Sequence, residues 1–144
     1  MDTVMTVELI PLGTADVGLS EPIMMPGTPS GTRVVIELTS VDYRGERLRA
    51  KLKGAAAADW AVVSPAGVGV MDVRFTLETD DGALIYVTYN GRVDLSGGLE
   101  GAIAYTAPRF ETGDERYAWL NKIQAVAKGV IGEGVLRYEL YEVS

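Results

Sequence analysis

"VGVMDVRFTLETDDGALIYVTYNGRVDL", residues 68–95, decides the fold. Two runs, about 69–79 and 83–93, alternate apolar and polar positions, and "DDG" at 80–82 stands between them. A period of two marks a strand with two unlike faces. Asp-Gly is a strong hairpin signal, because the tight turn needs backbone angles that glycine adopts freely. On the first run Met71, Val73, Phe75 and Leu77 share one face, and Asp72, Arg74, Thr76 and Glu78 share the other. On the second, Leu84, Tyr86, Thr88 and Asn90 oppose Ile85, Val87, Tyr89 and Gly91.

Similar runs lie on both sides of this hairpin. "TVELIPL" (6–12), "RVVIELTSV" (33–41) and "AIAYTAP" (102–108) read as strands, as does the segment 60–64 after a turn in "AAAADWAVVSPAG". "ERLRAKLKG" (46–54) sets Leu48, Ala50 and Leu52 against Arg47, Arg49, Lys51 and Lys53, a cationic face of the kind that usually meets water. Residues 119–143 read as a closing hairpin turned at "GEG" (132–134). "SEPIMMPGTPSGTR" (20–33), with three prolines, reads as a loop. Its Met24–Met25 pair has two readings, a plug for one end of the core or an adaptable apolar lid. Only "TGDERY" (112–117) suggests helix, a single short turn near 113–118 capped by Thr112 or Asp114. Strands separated by turns, with no long helix, mean an all-β protein. The expectation is one domain over 1–144, a single closed antiparallel β-barrel of the calycin or lipocalin type.

Composition narrows the chemistry. The chain of 144 residues has no Cys and no His. Thiol and imidazole catalysis, disulfides and the usual zinc sites are therefore excluded. Acid–base work falls to Asp, Glu, Tyr or Lys. Thirteen basic against twenty acidic residues give a net charge of −7, which disfavours nucleic acid. The expectations are no metal, no cofactor, no membrane contact and a cytoplasmic location. "MDTVMTVELI" does not read as a signal peptide, since it lacks a basic start and a long apolar run.

Two stretches are specific. "DVRFTLETDDGALIYVTYNGRV" and "PRFETGDERYAWLNK" resemble the family called domain of unknown function 3237, and the likeness extends to "GTPSGTRVVIEL" and "ADWAVV". The resemblance implies a small antiparallel barrel and carries no assigned activity. The sequence departs from the family pattern at "LTSVDYRGERLRAKLKG", where a glycine-rich stretch is usual. It departs again at Ala56-Ala57-Ala58-Asp59-Trp60, where Gly-Gly-Ala-Asp-Trp is common.

Two readings of the 69–79 face stand side by side. The polar side faces water around a filled barrel, or it lines a lumen wide enough for one ligand. In the second reading Asp72 and Arg74, about 6.6 Å apart along one face, supply a base and an oxyanion partner. Segment 107–121 is either a capped turn whose charges pair locally and whose aromatics plug the barrel end or, on this second reading, a rim with Glu111 as an acid or base. Arg109 and Arg116 act as clamps, and Phe110, Tyr117 and Trp119 as flat walls. Trp60, Tyr89 and Tyr105 complete the expected binding set. The function expected on this reading is cofactor-independent proton transfer on a small cyclic or aromatic carbonyl compound, of lyase, isomerase or cyclase type. The alternative is a carrier of an apolar small molecule. A lumen of polar residues leaves Met71, Val73, Phe75 and Leu77 outside, so a homodimer or higher oligomer is expected.

Overall fold

The alternating runs do form strands, and they close on themselves. The computed structural model describes residues 5–144. Its strands in chain order are β1 (Leu9–Leu19), β2 (Ile23–Thr28), β3 (Gly31–Arg44), β4 (Arg49–Leu52), β5 (Ala58–Val63), β6 (Val68–Thr79), β7 (Leu84–Asp94), β8 (Ile103–Thr106), β9 (Arg109–Glu111), β10 (Ala125–Gly132) and β11 (Val135–Val143). A 3₁₀ helix, Glu115–Lys122, joins β9 to β10.

All pairings are antiparallel. Around the barrel β6 pairs with β5, β5 with β3, β3 with β1, β1 with β11, β11 with β10, β10 with β8, β8 with β7, and β7 returns to β6. Eight staves therefore close the sheet. β4 continues the stave of β5, since both lie between β3 and β6. β9 likewise continues β8 along β7. Closure leaves few backbone groups at a free edge, which is how a barrel avoids edge-to-edge association.

The faces are set by burial. Met71, Val73, Phe75 and Leu77 fill the interior, with Leu77 and Ile85 fully buried. They share one core with Val17, Val41, Tyr43, Val87, Tyr89, Tyr138 and Leu140 from the other staves. Tyr89 packs edge-to-face on Phe75 and on Tyr138, at centroid distances of 6.1 and 5.8 Å. Gly129 stands opposite Tyr138 across β10 and β11. A Cβ there would lie 2.6 Å from that ring, so only glycine leaves the phenol its place.

Several expectations need correction. Residues 20–33 are not a plain loop, because Ile23, Met24 and Met25 pair with β3. The first strand runs over Leu9–Leu19 rather than 6–12, and the last hairpin begins at Ala125. Met24 and Met25 are exposed, so they plug no core. Met71, Val73, Phe75 and Leu77 are covered by the barrel itself, so the surface invoked for an oligomer does not exist and any assembly must use another. Among the described residues no helix is long and apolar enough to cross a membrane.

Candidate functional site

The barrel has two unlike ends. One holds the turns β3–β4 and β6–β7 and the 3₁₀ helix, and it is closed. Leu120 of the helix is fully buried against the core. The charges of 107–121 fasten this closure. Asp114 caps the helix by accepting from Arg116 N at 2.9 Å, and its carboxylate also receives Arg116 Nη2 at 2.8 Å. Arg116 Nη1 reaches Asp81 Oδ2 of the hairpin turn at 3.2 Å. Tyr117 Oη and Thr79 Oγ1 donate to Asp81 Oδ1 at 2.8 and 2.6 Å. The Arg116 contact holds the Asp114 carboxyl below its ordinary range, and the Thr79 and Tyr117 hydroxyls do the same for Asp81. This cluster is a strap across a hairpin, and none of its residues lines the cavity at the other end.

The other end is open. A cavity of about 560 Å³ enters there, a size suited to a small organic molecule. Its walls are Val17, Val34, Leu38, Ala61, Met71, Val73 and Val93, with Met24, Leu99, Glu21 and Glu133 around the mouth. Its polar groups are few, and one of them is a buried carboxylate, Asp59. The local sequence places it there. On β5 the period of two puts Asp59, Ala61 and Val63 on the inner face and sends Trp60 and Val62 outward.

Asp59 Oδ1 accepts the backbone N–H of Asp72 at 2.9 Å. Oδ2 takes none of the hydrogen bonds found among the described residues. Burial pushes the carboxyl up to about 6, partly offset by the Asp72 amide, with the Asp72 charge acting in the same upward direction. Tyr89 also lines the cavity. Burial, with the Asp59 charge beside it, keeps this phenol protonated well above its usual range. Below Tyr89 a void of about 20 Å³ is walled by Tyr43, Thr106 and Tyr138, whose hydroxyls find no hydrogen-bond partner among the described residues.

The raised carboxyl makes a prediction with a definite sign. The folded protein holds the Asp59 proton more tightly than the unfolded chain does. Stability therefore falls as pH rises from about 4 to about 6 and stays low above that. Other carboxylates work the opposite way, so the difference from Asp59→Asn isolates this one. The variant keeps an acceptor for Asp72 N. It is expected to be the more stable protein at pH 8, by on the order of 3 kcal/mol, with the gap closing near pH 4. Urea unfolding of both proteins across that range checks it.

The residues expected from sequence mostly lie elsewhere. Asp72 and Arg74 are exposed on the outer wall, and Arg74 sits 4.6 Å over the Trp60 ring. They share the polar face of β6, and that face is outside because the apolar face fills the barrel. Glu111 and Arg109 are exposed at the closed end. Phe110 is buried in the core against Tyr43, at a centroid distance of 6.4 Å. Trp119 lies under Arg47 at 4.4 Å, outside the cavity. Tyr105 is exposed, with Lys128 over its ring. Of that set Tyr89 alone reaches the cavity. Asp59, the neighbour of Trp60, was open to a functional or a structural reading in the sequence and was not among the expected catalytic residues.

The model of the family described as "Protein of unknown function (DUF3237)" matches residues 7–143. The chain belongs to this family. Among curated relatives, a UPF0311 protein of Rhodopseudomonas palustris strain TIE-1 is 28% identical over 103 residues, 63% of this chain and 67% of that protein. Among solved structures, a beta-barrel like protein from Acinetobacter baumannii AYE superposes with a TM-score of 0.89 at 26% identity, covering 100% of both chains. An enzyme from Penicillium herquei superposes with a TM-score of 0.76 at 20% identity, over 100% of this chain and 99% of that one. The DUF3237 match over residues 7–143 and these superpositions agree on the barrel fold.

Proposed function

We propose that the barrel binds a small ring compound bearing a carbonyl group and moves a proton on it, with Asp59 as the base. One observation carries the reading: a single buried carboxylate, with one oxygen outside the hydrogen bonds among the described residues, stands in a mostly apolar, ligand-sized cavity. A carboxyl near 6 is mostly ionised at neutral pH and still basic enough to accept a proton from carbon. Asp59 Oδ2 takes the proton next to the carbonyl. The electron pair moves onto the carbonyl oxygen, and the Tyr89 hydroxyl donates to that oxygen as charge develops. Return of the proton at another carbon is an isomerisation. Departure of a neighbouring group is an elimination. The fold likeness to a protein called an enzyme is compatible with this reading and names no reaction.

The apolar lining also favours a second reading, a carrier that holds the same compound without changing it. One experiment separates the two. The probe is 2-tetralone, an uncharged bicyclic ketone, incubated in D2O and followed by NMR. The enzyme reading expects protein-dependent exchange of the hydrogens beside the carbonyl, and loss of that exchange in Asp59→Asn. Binding of 2-tetralone with exchange no faster than in buffer refutes the base and leaves the carrier. Tyr89→Phe is expected to retain binding and to slow exchange by roughly tenfold to a hundredfold, a little below what a fully preorganised oxyanion donor is worth.

A further inference from the structure

We infer that the cavity excludes anions and takes its ligand uncharged. The inference deepens the proton-transfer reading and rests on it for the location of the site. The ionisable side chains lining the cavity are Asp59, Glu21, Glu133 and Tyr89. Among the described residues no Lys or Arg lines the cavity, and the chain has no His. Four arginines adjoin cavity residues along the wall, and none of them lines it. Arg92 beside Val93 and Arg137 beside Leu136 are exposed, with Arg137 Nε 3.7 Å from Asp16 Oδ1. Arg33 lies between Thr32 and Val34, both of which line the cavity, yet its guanidinium donates to Trp60 O at 3.1 Å. Arg74 follows Val73, another lining residue, and lies over the outer face of Trp60.

A carboxylate or phosphate on a ligand would therefore leave water and meet no cation. Burying an unpaired charge among apolar walls is costly. At the floor it would also face the Asp59 carboxylate, so like charges would oppose each other where the solvent is thinnest. Glu21 and Glu133 are exposed, and each contributes less because water screens it. Their placement at the mouth still repels an approaching anion before it enters. An ammonium ligand would pair with Asp59, but it must leave water for apolar walls, and that desolvation cost offsets the attraction of the buried pair. An uncharged compound meets neither obstacle.

Calorimetric titration of the intact protein at pH 7.5, with three probes sharing one ring system, tests this: 2-naphthol, 2-naphthoate and naphthalen-2-ylmethylammonium. The uncharged alcohol is expected to bind roughly tenfold or more tightly than the carboxylate, as befits an unpaired buried charge. The gap should narrow in Asp59→Asn and change little in the Glu21→Gln, Glu133→Gln double variant. Naphthoate binding as tightly as naphthol overturns the inference. So does the ammonium binding tenfold more tightly than naphthol, or the absence of binding by all three. Titration reads affinity and not exchange. Failure here therefore leaves the Asp59 base to be judged by the 2-tetralone experiment, and failure there leaves the charge selection standing.

Discussion

Asp59→Asn is expected to slow hydrogen exchange on 2-tetralone by about a hundredfold or more, the usual consequence of losing a general base. The variant is nearly the same size and keeps the oxygen that receives the Asp72 amide, so the wall of the cavity should not move. Affinity for the ketone should change little. The two effects together distinguish a lost base from a damaged pocket. The wild-type rate should also have an acid limb centred near pH 6, where Asp59 gives up its proton. Exchange that is pH-independent between 5 and 8, or that survives in the variant, removes Asp59 from the reaction.

The largest loss of stability is expected from Leu77→Ala. Leu77 is fully buried on the inner face of β6, and truncation leaves a hole that the closed sheet can only partly collapse around. The cost should be about 2–5 kcal/mol, a large share of the roughly 5–15 kcal/mol that holds a domain folded. Asp72→Ala, five residues earlier on the outer face, should change stability by about 0.5 kcal/mol or less. Urea midpoints of the two variants give the answer. Equal losses, or the reverse order, would mean that the faces of β6 have been assigned the wrong way round.

The contrast between those two positions shows what the sequence could and could not reveal. The hairpin of β6 and β7 was legible because alternation and an Asp-Asp-Gly turn are local signals. Which face pointed inward was not local. It depended on whether the interior was packed or hollow, and here both hold, packed at one end and hollow at the other. β2 was hidden by its prolines. Pro22 and Pro26 fall in or beside a strand that pairs only with β3, and a proline is tolerated where a strand has a free edge. The family likeness pointed correctly to a barrel. It also drew attention to 107–121, where the crowding of charge proved to be the strap between Arg116, Asp114 and Asp81.

Asp59 was the harder case. Four alanines from Ala55 to Ala58 carry no periodicity, so the start of β5 and hence the direction of each side chain stayed open. Once the strand is placed, the signal is plain. A carboxylate shares a face with Ala61 and Val63, and a charge on the apolar side of a strand needs a reason to be there.

The sealed end of the barrel has a kinetic corollary. With Leu120 stoppering one side, the vestibule formed by the described residues has its doorway at the other, and whatever leaves retraces the path by which something else arrives. No queue can form and no through-traffic is possible. Reactant and product are then mutually exclusive occupants. Accumulated product should raise the apparent KM and leave the maximal rate unchanged, and turnover can be no faster than the emptying of the cup.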